Sequence, residues 1–253
     1  MRILVDNSVV RDAIIGEWVA HPNTVNWAGH PVTANVVAMG RRPLPPADQV
    51  TRRRAIFALP TIGRLAREGV IQLVTYEELN TEYVSGRNPV SGTRGDLLAG
   101  VTIVEIPTAV SRSHFHQVQR EWDKQALTDF CQKLLKLNAT DASRYALNRR
   151  NLPASTVESI KDLKRFQDLC RGAPDKMFSD LFHIWTGERG RCDYFLTMET
   201  RVCNWVGKSC KVKPLCMPIR PDDLVARLGV TTLDAMPFAE NEFLDAVDAR
   251  NVD

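Results

Sequence analysis

The sequence predicts an α/β fold: a three-layer sandwich around a mostly parallel central sheet of about five strands. Two observations predict it. Short β-branched or aromatic runs alternate with stretches of helical periodicity, the order expected of strand–helix units. The first run, Ile3-Leu4-Val5, is apolar without a break, as a strand covered on both faces must be.

In chain order the strands are expected near 2–5, 70–75 (VIQLVT), 101–106 (VTIVEI), 194–197 (YFLT) and 211–217. The last lies within KVKPLCMPI (211–219), where Pro214 weakens the pattern. Leu127, Phe130, Cys131, Leu134 and Leu135 repeat at helical spacing, and Ile160, Leu163, Phe166 and Cys170 do so less cleanly. Leu181, Ile184, Trp185 and Glu188 form another helical face, which Gly190 closes. Pro221-Asp222-Asp223 opens a helix that ends at Gly229. Residues 21–50 are rich in Pro, Gly and Asn and read as a long loop. Residues 115–172 read as a helical insertion. Together, 1–229 are expected to form one α/β domain, followed by an acidic tail or helix over 230–253.

Composition narrows the function classes. At 253 residues, 44% hydrophobic and 25% charged, the chain has a globular composition, which excludes disorder as its main state. No run approaches the 18 apolar residues that suggest a membrane span. An acid, Asp6, interrupts the first apolar run too early for a signal-peptide core, so a cytoplasmic protein is expected. The six cysteines contain no CxxC pair and match no zinc spacing, which reads as reduced, buried thiols. Charge is uneven. Residues 112–171 hold 12 Lys and Arg against 7 Asp and Glu, and 221–253 hold 2 against 8. A basic middle is suited to a polyanion, although from charge alone a solvated helical surface is the simpler explanation.

Acids fall where strands end. Asp6 follows the first strand. Glu77, Glu78 and Glu82 follow the second. Asp180 opens the helix that leads into the fourth, and Glu199 comes just after it. In an open parallel sheet ligands collect beyond the carboxyl ends of the strands. Each acid alone can be a helix cap. Four on one rim repel one another unless a cation neutralises them, and oxygen ligands without Cys or His suit Mg²⁺ or Mn²⁺. G-x-G-x-x-G, P-loop and G-x-S-x-G patterns are absent. His114 and His116 are two apart, wrong for one helical face. His183 is expected to be a packed or surface residue.

These segments resemble a PIN-domain nuclease. ILVDNSVV (3–10) is similar to the family's opening strand, with Asp6 as its acid and Ser8 as a small hydroxyl residue. SDLFHIWTGERGRCDYFLTMETR (179–201) is similar to its second signature: Asp180 matches the helix acid, Thr197 the turn threonine, and Glu199 stands where the family usually has Asp. In LVTYEELNTEYV (73–84) the family's Glu is matched by Glu82, with Glu78 as the alternative. The strand VTIVEIP (101–107) and the end KVKPLCMPIRPDDLVARLG (211–229) fit the remaining pattern.

The resemblance implies a Mg²⁺- or Mn²⁺-dependent endoribonuclease of the toxin type. Asp6, Asp180 and Glu199 would hold the metal. Glu82 would bind the metal or orient water, and Ser8, Glu78, Asp193 and Thr197 would be supporting or alternative residues. Arg149, Arg150, Lys161, Lys164 and Arg165 would steer RNA. By analogy alone, an antitoxin or other protein partner is implied, with a homodimer left open. Two other readings stand beside it: a PIN-like RNA- or protein-binding module without effective catalysis, and a haloacid-dehalogenase-type phosphohydrolase. The latter needs a second Asp where this chain has Ser8.

Overall fold

The computed structural model describes residues 1–79, 90–112, 124–138, 140, 141, 144 and 152–250. They divide into two compact units. The first takes the described residues of Met1–Asn7, Ile71–Gly86 and Ile103–Arg220. The second takes those of Ser8–Val70, Arg87–Thr102 and Pro221–Asp253.

The first unit is built on a five-stranded, all-parallel sheet. Its strands are β1 (Arg2–Val5), β4 (Gln72–Thr75), β5 (Val104–Glu105), β6 (Tyr194–Leu196) and β7 (Met217–Ile219). They lie in the order β5-β4-β1-β6-β7, so the chain builds outward from β1 on one side and then returns to the other. The register pairs Ile3 with Leu73 on one side and with Tyr194 on the other. As the central strand, β1 is covered throughout: Ile3, Leu4 and Val5 are at most 2% exposed. The last strand begins later than the 211–217 expected. It carries Pro218, which an edge strand tolerates because one side has no ladder to donate to.

Helices α3 (Lys124–Lys136), α4 (Ala154–Lys161) and α5 (Leu163–Leu169) come from the expected insertion, which holds no strand among its described residues. Helices α3 and α5 pack on α6 (Phe178–Arg189) and on each other. An aromatic cluster joins them. Trp185 stacks on Phe166 with centroids 5.1 Å apart, and Phe182 meets Phe130, Phe166 and Trp185 edge-on. Such pairs add about 0.5–1.5 kcal/mol each beyond burial. Every residue of α6 from Phe178 to Gly187 is buried, so this helix is core all round rather than amphipathic. Gly187 is required there: a Cβ would stand 2.6 Å from the Cys216 sulfur. Helix α7 (Thr200–Lys208) follows β6 and packs near β7.

The second unit holds α1 (Asn7–Ala13, of which Asn7 belongs to the first unit), α2 (Val50–Arg67), α8 (Pro221–Arg227) and an antiparallel hairpin. The hairpin strands are β2 (Gly16–Trp27) and β3 (His30–Arg41). The loop expected over 21–50 is therefore corrected: most of it is strand. Ala28 (φ 53) and Gly29 (φ 87) make a two-residue turn with positive φ at both positions, which suits the twist of a tight hairpin. Trp27 and His30 flank that turn as a hydrogen-bonded pair, so Asn26–Pro31 and Pro22–Asn35 both fall on non-hydrogen-bonded pairs. The prolines read as breakers thus sit where no inter-strand N–H is needed. Residues 230–250 form no regular helix. They pack irregularly, with Phe238, Leu244 and Ala249 buried and Leu244 bridged to Met39. Helix α8 packs on α2. Among the described residues no helix is long and apolar enough to cross a membrane.

Candidate functional site

The strand order reverses at β1: from there the chain runs to β4 and β5, then returns to β6. The crevice beyond the carboxyl ends of β1 and β6 is the topological switch point, where α/β sheets bind ligands. Asp6 and Thr197 are the first residues past these two strand ends. The Thr197 hydroxyl donates to Asp6 Oδ2 at 2.7 Å and accepts the Glu199 N–H at 3.1 Å. The backbone closes the same corner: the Asp6 N–H donates to the Leu196 carbonyl and the Thr197 N–H to the Ile219 carbonyl. Thr197 is fully buried, and its hydroxyl ties the Asp6 carboxylate to the end of β6.

Asp180 lies in the first turn of α6, 8% exposed, on a helix that is buried from Phe178 to Gly187. Carboxylates are seldom buried this way without a compensating partner. The Arg201 guanidinium stands 3.8 Å from Asp180 Oδ2. Arg201 belongs to the first turn of α7, which begins directly after Glu199. This contact therefore places Asp180 at the same carboxyl edge as Asp6, Thr197 and Glu199. Arg201 is exposed, and a loose pair of this kind contributes at most about 1 kcal/mol. Glu199 is the exposed residue before α7, and its side chain makes no capping bond. Among the described residues no three His, Cys, Asp or Glu side chains gather closely enough to hold a metal ion.

Glu77 and Glu78 also follow the carboxyl end of a strand, β4, but they have partners of their own. Glu78 is 3% exposed and forms a bidentate pair with the buried Arg112, at 2.8 and 2.5 Å. Its charge is matched by the Arg112 guanidinium. Glu77 accepts from Ser111 at 2.8 Å. Asp193 sits at the amino end of β6 and accepts the Arg2 N–H at 2.8 Å. Asp6 lies a strand's length away at the carboxyl end, roughly 13 Å at about 3.3 Å per residue, so Asp193 does not serve the same edge. Ser8 is buried in α1, in the second unit. Glu82, Arg149, Arg150, His114 and His116 lie outside the described residues.

Of the basic residues assigned to RNA, Lys161 pairs with Glu158 and Lys164 with Asp168, both exposed. Arg165 grips the buried Glu188 with two bonds, at 2.8 and 2.7 Å, and also donates to the Lys213 carbonyl. Its role is to hold α5 to α6.

Two participants were not singled out from the sequence. Arg201 ends the 179–201 segment and could have been noticed as the first cation after Glu199. Tyr76 follows β4 directly, and its hydroxyl lies 2.5 Å from His183 Nδ1, with both residues buried. The expectation of a packed histidine at 183 agrees with this position. Comparison with protein-family models, with curated proteins and with solved structures found no match.

Proposed function

We propose that the carboxyl edge of the five-stranded sheet is a ribonuclease site of the PIN type. The observation that carries this reading is the Thr197–Asp6 bond across the switch point, with Asp180 brought to the same edge by Arg201. The strand order, and acids past the ends of β1 and β6, fit the expected pattern. In this reading Thr197 holds Asp6 in one rotamer, and Asp180 is a buried acid presented at a helix start. Arg201, exposed beside it, meets the phosphodiester backbone. RNA is the substrate, and Mg²⁺ or Mn²⁺ is the cation such chemistry uses.

The described residues do not by themselves complete a cation site. Asp6 and Asp180 are suitable oxygen ligands, but no group of three forms, and Glu82, assigned to complete the set, is outside them. No reaction step is therefore routed through a metal. That same observation favours a second reading, an RNA-binding module that keeps the edge without cleaving.

A Mn²⁺ titration of thermal stability separates the two readings. A cation held at 100 times its dissociation constant stabilises by about 2.7 kcal/mol. The nuclease reading expects stabilisation of wild type that Asp6→Asn largely removes. Equal response of the two proteins leaves the binding module.

A further inference from the structure

The second unit contains a cavity that the proposed nuclease edge does not use. Three segments enclose about 470 Å³: the last turns of α2, residues 94–99, and residues 234–237. This volume lies within the roughly 300–1,000 Å³ of small-molecule sites. Three arginines line it. Arg64 is spent on protein acids, with its Nε on Asp234 at 2.8 Å and its Nη1 on both oxygens of Glu68. Arg67 and Arg94 are not. Arg67 donates to the Ala99 carbonyl at 2.9 Å and Arg94 to the Pro237 carbonyl at 3.0 Å. Among the described residues neither has a carboxylate within salt-bridge distance. Each guanidinium is thus anchored by one backbone oxygen and keeps most of its donor fork for another acceptor.

The remaining acid in the wall, Asp96, is turned to its own loop. It accepts from the Gly92 and Leu98 N–H groups at 3.1 and 3.0 Å and from Ser91. Burial raises its pKa. The rest of the lining is apolar, notably Pro60, Leu97 and Pro237.

We propose that this cavity binds a phosphate monoester carrying a hydrophobic or aromatic body, of the size of a nucleoside monophosphate. Arg67 and Arg94 take the phosphate, because planar forks match its oxygens in pairs. The apolar wall takes the body, since a bare phosphate leaves most of the volume unfilled.

Isothermal titration of the whole protein with 5′-AMP, inorganic phosphate and adenosine tests this. The expected result is saturable 5′-AMP binding, weakened at least tenfold by Arg67→Gln with Arg94→Gln, and at least tenfold tighter than either phosphate or adenosine. Sulfate must also displace 5′-AMP from wild type, which keeps the test decisive if the double variant misfolds. Absence of 5′-AMP binding, binding indifferent to sulfate, or a folded double variant that binds as wild type overturns the proposal. Inorganic phosphate binding as tightly as 5′-AMP overturns it too, because the apolar wall would then contribute nothing.

Discussion

Replacing Thr197 by Val separates the hydroxyl's contribution from that of the side chain's volume. The side chain is fully buried, and Val fills nearly the same space, so packing changes little. Two bonds are lost. The first is the 2.7 Å bond to the Asp6 carboxylate, and hydrogen bonds to charged groups contribute about 1.5–3 kcal/mol. The second is acceptance of the Glu199 N–H at 3.1 Å. Glu199 is exposed and water can replace that acceptor, so this adds about 0.5 kcal/mol at most. The expected cost is about 2–3 kcal/mol. Because the chain forms two units, a single global transition is not assured. Native-state hydrogen exchange at the Asp6 N–H, which is bonded to the Leu196 carbonyl, reads the effect at the site itself. Thr197→Ser keeps the hydroxyl and loses a buried methyl, and should cost only about 1 kcal/mol. If Ser costs more than Val, the position matters for packing and the reasoning fails.

Other perturbations test the same frame. Arg112→Met should destabilise by about 3–5 kcal/mol because it leaves Glu78 buried without its arginine, whereas Arg112→Met with Glu78→Leu should recover most of that; urea titrations giving equal losses for single and double variants would refute the pairing. Asp96 has a raised folded-state pKa, so its contribution is fully present below the unfolded value near 3.9 and is lost as pH rises through the folded value. The stability difference between wild type and Asp96→Asn should accordingly shift in favour of wild type as pH falls from 7 towards 4, and a difference that grows with rising pH contradicts it. Burial pushes the Cys131, Cys170 and Cys216 thiols well up and that of Cys192 to about 11. A thiol reagent at pH 8 should therefore modify Cys203 and Cys210 first, with the other four reacting only on unfolding; early modification of Cys131 or Cys216 would contradict that burial.

Much of the first unit was legible because its strands carry β-branched or aromatic residues in short runs, and the central β1 is apolar without a break. Ile3–Val5, Gln72–Thr75 and Tyr194–Leu196 lie where those runs placed them. The hairpin was not legible, because its signal is overwritten by Pro22 and Pro31. Only pairing register shows that both avoid the hydrogen-bonded positions. Local sequence carries no register. The same limit applies to the acids. Asp6 and Glu199 were placed at one edge because each closely follows a strand, and Thr197 came in only through the resemblance. For Glu78 the decisive fact is Arg112, thirty-four positions away in sequence and absent from any local pattern. Asp193, which the resemblance offered as a supporting residue, comes one residue before β6 and so lies at the opposite edge from Asp6.

The proposed function stands on Asp6 belonging to a catalytic edge rather than capping a helix. The most direct measurement is cleavage of labelled RNA by wild type and by Asp6→Asn, with and without Mn²⁺, with the metal-free melting temperature of both proteins measured alongside. Asn keeps the shape and can still accept the Thr197 hydroxyl, but it lacks the negative charge that attracts a dication. The account predicts Mn²⁺-dependent cleavage by wild type and none by Asp6→Asn, whose metal-free melting temperature stays at or slightly above that of wild type. Cleavage by Asp6→Asn at the wild-type rate, or no cleavage by wild type under any cation, would contradict it.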